Sequence, residues 1–156
     1  MKPLNTYETE LETLDDTLSL GARLGAQFRG GEVVELVSDL GGGKTALVRG
    51  MARGLESDDQ VMSPTFTVSR IYHGNKCDLH HFDFYRLNEP GVIAEELRES
   101  IDDPKVAVVI EWSDIVSDVL PSDRLRINIT VTSETARHVT VLAYGPHHAQ
   151  LLERLS

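Results

Sequence analysis

Apolar residues recur along this chain at helical spacing in some stretches and crowd or alternate in others. In residues 13–28, Leu14, Leu18, Gly21, Gly25 and Phe28 fall on one helical face, with Thr13 as a cap and Asp16 three residues on. Two glycines on that face would let the helix lie close to a sheet. Residues 33–37 form a short apolar run ended by a glycine cluster, and residues 45–55 bring Leu47, Met51 and Leu55 round every fourth position. The predicted order is strand, loop, helix.

Residues 65–72 and 77–85 are β-rich runs, and His73-Gly74-Asn75-Lys76 between them predicts a hairpin turn. Asn88 is expected to cap a helix carrying Ile93, Leu97 and Ile101. Residues 105–111 form a continuous apolar run of the kind that suits a parallel strand buried on both faces, and it ends on a carboxylate. Residues 112–119 read as a short helix stopped by Pro121, residues 124–132 and 137–144 as two alternating strands, and a last helix follows. No repeat or linker interrupts this interleaving. The expected fold is α/β: a single domain over residues 1–156, with a mixed central sheet flanked by helices.

Composition narrows the function classes. The chain has 156 residues, 40% hydrophobic and 26% charged, enough to bury a core without staples. Its formal charge of −10 argues against direct nucleic-acid binding, which needs a basic face, so any contact with RNA or DNA is expected to go through a partner. Cys77 is the one cysteine, which fits a reducing compartment. MKPLNTYETE lacks the basic start and apolar core of a signal peptide, and the run from Val106 to Ile110 is too short to span a bilayer. A cytoplasmic location with no membrane association is expected.

The chemistry centres on SDLGGGKT. In a P-loop, G-x-x-x-x-G-K-[ST], backbone N–H groups cradle phosphates, the lysine reaches the outer ones and the hydroxyl binds Mg²⁺. Lys44 and Thr45 fill the last two roles, and Leu40, Gly41, Gly42 and Gly43 supply the cradle. Ser38 stands where the pattern has its first glycine, a replacement that is tolerated if the backbone there keeps a negative φ. Such a site needs carboxylates at the ends of neighbouring strands. Glu111 ends VAVVIE and Asp83 lies in HHFDFYR; alone, either reads equally well as a surface glutamate or a partner of Arg86, but beside Lys44 and Thr45 the functional reading is favoured.

Other residues form decoys. His80, His81, Asp83 and Cys77 suggest a metal cluster, yet His81 and Asp83 share one strand face while His80 points to the other, so hydrogen-bonding and surface roles are expected for the histidines. His147 and His148 carry no signal. Asn75-Lys76-Cys77-Asp78 spells a guanine-reading motif but falls in the hairpin, so ATP is the expected nucleotide. Arg49 and Arg53 read as a solvated helix face. No arginine is placed as a finger.

SDLGGGKTALVRG, SPTFTV, HFDFYRL and IEW, in this order, resemble the TsaE family, the bacterial ATPase subunit of the tRNA threonylcarbamoyladenosine synthesis machinery. The resemblance implies a single-domain P-loop NTPase fold over residues 1–156, ATP and Mg²⁺ as ligands, weak hydrolysis by the isolated protein, and work in a complex with the threonylcarbamoyl transferase subunit and its inactive paralogue. By the same resemblance Lys44 and Thr45 bind phosphate and metal, Glu111 helps hold Mg²⁺, Asp83 is an essential acidic residue, and Thr65 lies in a switch-like loop with Ser63 and Pro64. Trp112 follows the glutamate as in the family. Ser38, and the absence of a glycine often found in the segment GVIAEELRES, depart from the pattern. A small-molecule kinase on the same loop and a non-catalytic, nucleotide-dependent assembly module remain the alternatives.

Overall fold

A computed structural model describes residues 1–38, 43–61, 69–85, 87–89 and 91–155. Seven strands, β1 (Asn5–Leu11), β2 (Val33–Ser38), β3 (Ser69–Tyr72), β4 (Asp78–Asp83), β5 (Val106–Glu111), β6 (Leu125–Val131) and β7 (Arg137–Ala143), form one sheet in the order β1-β7-β6-β2-β5-β4-β3. The middle strands β6, β2, β5 and β4 are parallel, while β3, β7 and β1 pair antiparallel at the two sides. This is the expected mixed α/β sheet. Every residue of β5 is buried, because helices cover both faces at the middle of a parallel sheet.

Side-chain parity along β5 divides the core. Ala107 and Val109 join the cluster that holds Leu20 and Leu24 of α1 (Leu14–Gly25), Leu47 and Met51 of α2 (Lys44–Gly54), and Leu151 and Leu152 of α4 (Pro146–Leu155). Val106, Val108 and Ile110 face the other way, against Phe82, Val116 and Leu97 of α3 (Gly91–Asp102). Val116 lies in a 3₁₀ turn, Ser113–Val116, where a short helix over 112–119 is expected. Among the described residues no helix is long and apolar enough to cross a membrane.

Three expectations change. The capping box at Thr13 and Asp16 forms, but the buried face of α1 is Thr17, Leu20, Gly21, Leu24 and Gly25, and Leu14 is exposed. Its glycines do not meet the sheet: a Cβ on Gly21 would stand 2.3 Å from the Leu47 carbonyl oxygen, and one on Gly50 2.3 Å from that of Leu18. They are the contact between α1 and α2. Asn88 is not the cap of α3, which begins three residues later at Gly91. β1 is an edge strand that no apolar pattern announces, since Leu11 is its one buried residue. Of the β-rich run 65–72, only β3 lies within the described residues.

Candidate functional site

The site forms where β2, β4 and β5 end and α2 begins. Gly43, the residue before α2, has φ 99° and ψ 17°, a left-handed conformation that suits glycine because it has no Cβ to clash. It offers no capping side chain, and no acidic residue stands in the first turn of α2, so that end keeps its positive dipole open to an anion. Leu40, Gly41, Gly42 and Thr65 lie outside the described residues. Ser38 closes β2 opposite Ile129, and the non-glycine residues with positive φ are Glu56 and Trp112 among those described. The serine therefore meets the condition for replacing the motif's glycine.

Lys44 and Thr45 open α2; Lys44 is buried and Thr45 half-buried. The Lys44 Nζ stands 3.5 Å from Glu111 Oε1, donates to the Ser38 carbonyl at 3.4 Å and lies 5.0 Å from the centre of the Trp112 ring. Glu111 keeps the parity of Ala107 and Val109, which turns its carboxylate toward α2. Asp83 is the Cα partner of Glu111 in the parallel pairing of β4 and β5, so parallel register alone sets the two acids side by side. Burial pushes the Asp83 carboxyl pKa above the usual range; the Tyr85 N–H, donating to Oδ1 at 3.0 Å, pulls against this, and the charge of Glu111 adds to the rise.

Beyond Glu111 the chain turns sharply. Trp112 takes φ 56° and ψ 53°, and its ring meets Tyr85 at 4.9 Å between centroids. Buried Glu35 fixes this turn, accepting from Ser113 Oγ at 2.7 Å and from Arg124 Nε at 2.5 Å.

Two residues of the site escape sequence reading. His81 is fully buried, with Nε2 2.5 Å from Glu111 Oε2. Strand parity with Asp83 is the signal for its direction, but its partner lies on another strand. Arg137, at the start of β7, brings Nε within 4.0 Å of where a Gly43 Cβ would stand. No local pattern points from the last hairpin to the loop. His80 turns away and shares a 2.7 Å hydrogen bond with Ser100. The Asn75–Asp78 segment lies at the opposite end of β4 from Asp83, where Asn75 donates to Glu56.

The chain matches the family model described as "Threonylcarbamoyl adenosine biosynthesis protein TsaE" over residues 11–139. It belongs to the TsaE family. Proteins named tRNA threonylcarbamoyladenosine biosynthesis protein TsaE are similar to it over most of its length. The one from Streptomyces coelicolor is 37% identical, over 83% of this chain and 92% of that one. The one from Bacillus subtilis is 34% identical, over 86% and 85%. A crystal structure of Bacillus subtilis YdiB superposes with a TM-score of 0.82 at 27% identity, covering 97% of this chain and 94% of that one. The TsaE match thus spans β2, α2, β4 and β5, the elements that assemble the site.

Proposed function

We propose that this TsaE-family chain binds ATP with Mg²⁺ and hydrolyses it slowly, in support of tRNA threonylcarbamoyladenosine biosynthesis. Its proposed partners are the threonylcarbamoyl transferase subunit and its inactive paralogue, with tRNA contacted only through them and the work done in the cytoplasm. The observation that carries this reading is the placing of Lys44, on an uncapped helix start, 3.5 Å from the Glu111 carboxylate at the end of a neighbouring parallel strand. The donors suit Mg²⁺, a hard cation held by one or two protein oxygens together with nucleotide phosphates: Glu111 and the Thr45 hydroxyl are oxygen ligands beside the anion-binding end of α2. When bound, Mg²⁺ neutralises charge on the outer phosphates.

In this mechanism the residues from Leu40 to Gly43 cradle the phosphates through their N–H groups, and Lys44 reaches the terminal one. Thr45 and Glu111 hold the metal, directly or through water. Asp83 orients the attacking water or a metal-bound water. Attack on the γ-phosphorus breaks the bond to the β-phosphate oxygen and leaves ADP and phosphate. Hydrolysis by the isolated chain is slow, and an arginine finger supplied by a partner would be worth orders of magnitude in rate. Stimulation by the partner complex follows.

Isosteric variants test this better than alanine truncations, because they keep the side-chain volume and leave no cavity in the buried site. Asp83→Asn and Glu111→Gln are expected to bind ADP and to lose hydrolysis by at least about 100-fold. Phosphate release measured with Mg²⁺ and ATP decides it; full activity in both variants sinks the assignment.

A further inference from the structure

Of all the buried polar groups in the protein, His81 is the one whose surroundings ask most for a reason. Its ring is fully enclosed, yet Nδ1 meets no hydrogen-bond partner among the described residues. A position that needed only packing would be served by a leucine or phenylalanine, neither of which buries an orphaned nitrogen. Among the described residues, the one polar contact the ring makes is with Glu111 Oε2, at 2.5 Å.

That contact selects the tautomer. With the proton on Nε2, the ring donates to the carboxylate and leaves Nδ1 as an unfilled acceptor. The reverse tautomer would bury an orphaned N–H and set a bare Nε2 against the carboxylate oxygen. Glu111 thus has two distinguishable oxygens: Oε2 is taken by His81, and Oε1 faces Lys44 at 3.5 Å. The imidazole cannot follow a rotating carboxylate, because β4 and the core hold it, with the Tyr72 ring 6.4 Å away.

We infer that His81 is a positioning residue: it pins the Glu111 carboxylate so that Oε1 alone is presented toward the nucleotide side. This rests on the proposed Mg²⁺–ATP reading and sharpens it, since one fixed oxygen suits an ion that demands near-ideal octahedral geometry and keeps several of its waters. A donor behind a ligating carboxylate fixes its orientation.

The test measures ADP binding by titration calorimetry at graded Mg²⁺ and in EDTA, for the wild type, His81→Leu and His81→Gln. The Gln amide can donate from about the place of Nε2. His81→Leu is expected to raise the half-saturating Mg²⁺ concentration by about 10–100-fold. Its ADP affinity in EDTA should stay unchanged, and His81→Gln should recover most of the loss. An unchanged Mg²⁺ requirement in His81→Leu overturns the inference, as does a fall in EDTA affinity in both variants, which would mark a packing role. If His81→Leu does not fold, His81→Asn replaces it: its amide is too short to reach Oε2, so equal Mg²⁺ requirements in Asn and Gln variants overturn the inference. A wild-type protein indifferent to Mg²⁺ overturns the proposed function itself and this inference with it; a sensitive wild type beside a His81→Leu variant with the same Mg²⁺ requirement overturns the inference alone.

Discussion

Arg137 reaches the loop from the far end of the chain. Its Nη1 donates to the carbonyls of Ser133 and Ala136 at 3.1 and 2.8 Å, which ties the guanidinium to the turn between β6 and β7. Nε lies 4.0 Å from where a Gly43 Cβ would stand, beside the residue before α2. A planar cation held there is placed to meet a nucleotide phosphate. Replacing it, Arg137→Ala, should weaken ADP binding by roughly 1.5–3 kcal/mol, about ten- to a hundredfold. Arg137→Lys should keep only part, because an ammonium lacks the planar fork. Calorimetry checks both; an unaltered affinity in the Ala variant removes Arg137 from the site. The same comparison shows what is legible residue by residue. Lys44 and Gly43 announce themselves because their roles depend on neighbours in sequence. Arg137 and His81 act on partners that only the sheet brings near.

Between elements, the tightest contact is the seam of α1 and α2. Gly21 and Gly25 on one helix meet Gly50 and Met51 on the other, close enough that an added Cβ on Gly50 would lie 2.3 Å from the Leu18 carbonyl oxygen and 2.9 Å from the Gly21 Cα. Alanine is a better helix former than glycine by about 1 kcal/mol, but here the opposing atoms are backbone and cannot swing away. Gly50→Ala is therefore expected to destabilise the protein by roughly 1–3 kcal/mol net. Urea unfolding followed by circular dichroism measures it; a more stable variant would mean that the helices can part at no cost. Periodicity counted from Leu14 catches Gly21 and Gly25 of the buried face of α1, but it takes in exposed Leu14 and half-buried Leu18 where the structure buries Thr17, Leu20 and Leu24. β5 was legible because burial on both faces leaves a continuous apolar run, and β1 was not, because an edge strand with one buried residue needs none.

Over the whole molecule, β2 carries the proposed nucleotide site at one end and a histidine clasp at the other. His148 of α4 is buried, accepts the Val33 N–H on Nε2 at 3.0 Å and donates from Nδ1 to Asp123 Oδ1 at 2.6 Å. Asp123 also accepts the backbone N–H groups of His147 and His148, so one carboxylate caps α4 and orients the ring that pins it to the sheet. His147 and the buried Glu32, 3.2 Å apart, are the other charged neighbours. Burial pushes the His148 pKa down; the Asp123 hydrogen bond and charge pull it up without overcoming burial, His147 adds to the fall, and Glu32 opposes it. A folded pKa below the unfolded one means that the unfolded chain binds more protons as the pH falls. The stabilisation is complete above the ordinary histidine value of about 6.5 and drains away as the pH drops toward the lowered folded value. At Asp123, burial raises the pKa, but the hydrogen bonds from His148 and His147 outweigh it and leave the value low. Its stabilisation is lost only further into acid, with the same sign. The wild type should therefore lose stability between pH 7.5 and 5.5 in urea titrations. His148→Leu, which orphans the Val33 N–H, should start roughly 1–3 kcal/mol less stable at pH 7.5 and decline less steeply. Its Mg²⁺-dependent ADP affinity should match the wild type, because the clasp and the loop sit at opposite ends of β2. Parallel slopes in the two proteins would acquit His148, and a drop in affinity would mean that the two ends of β2 are coupled.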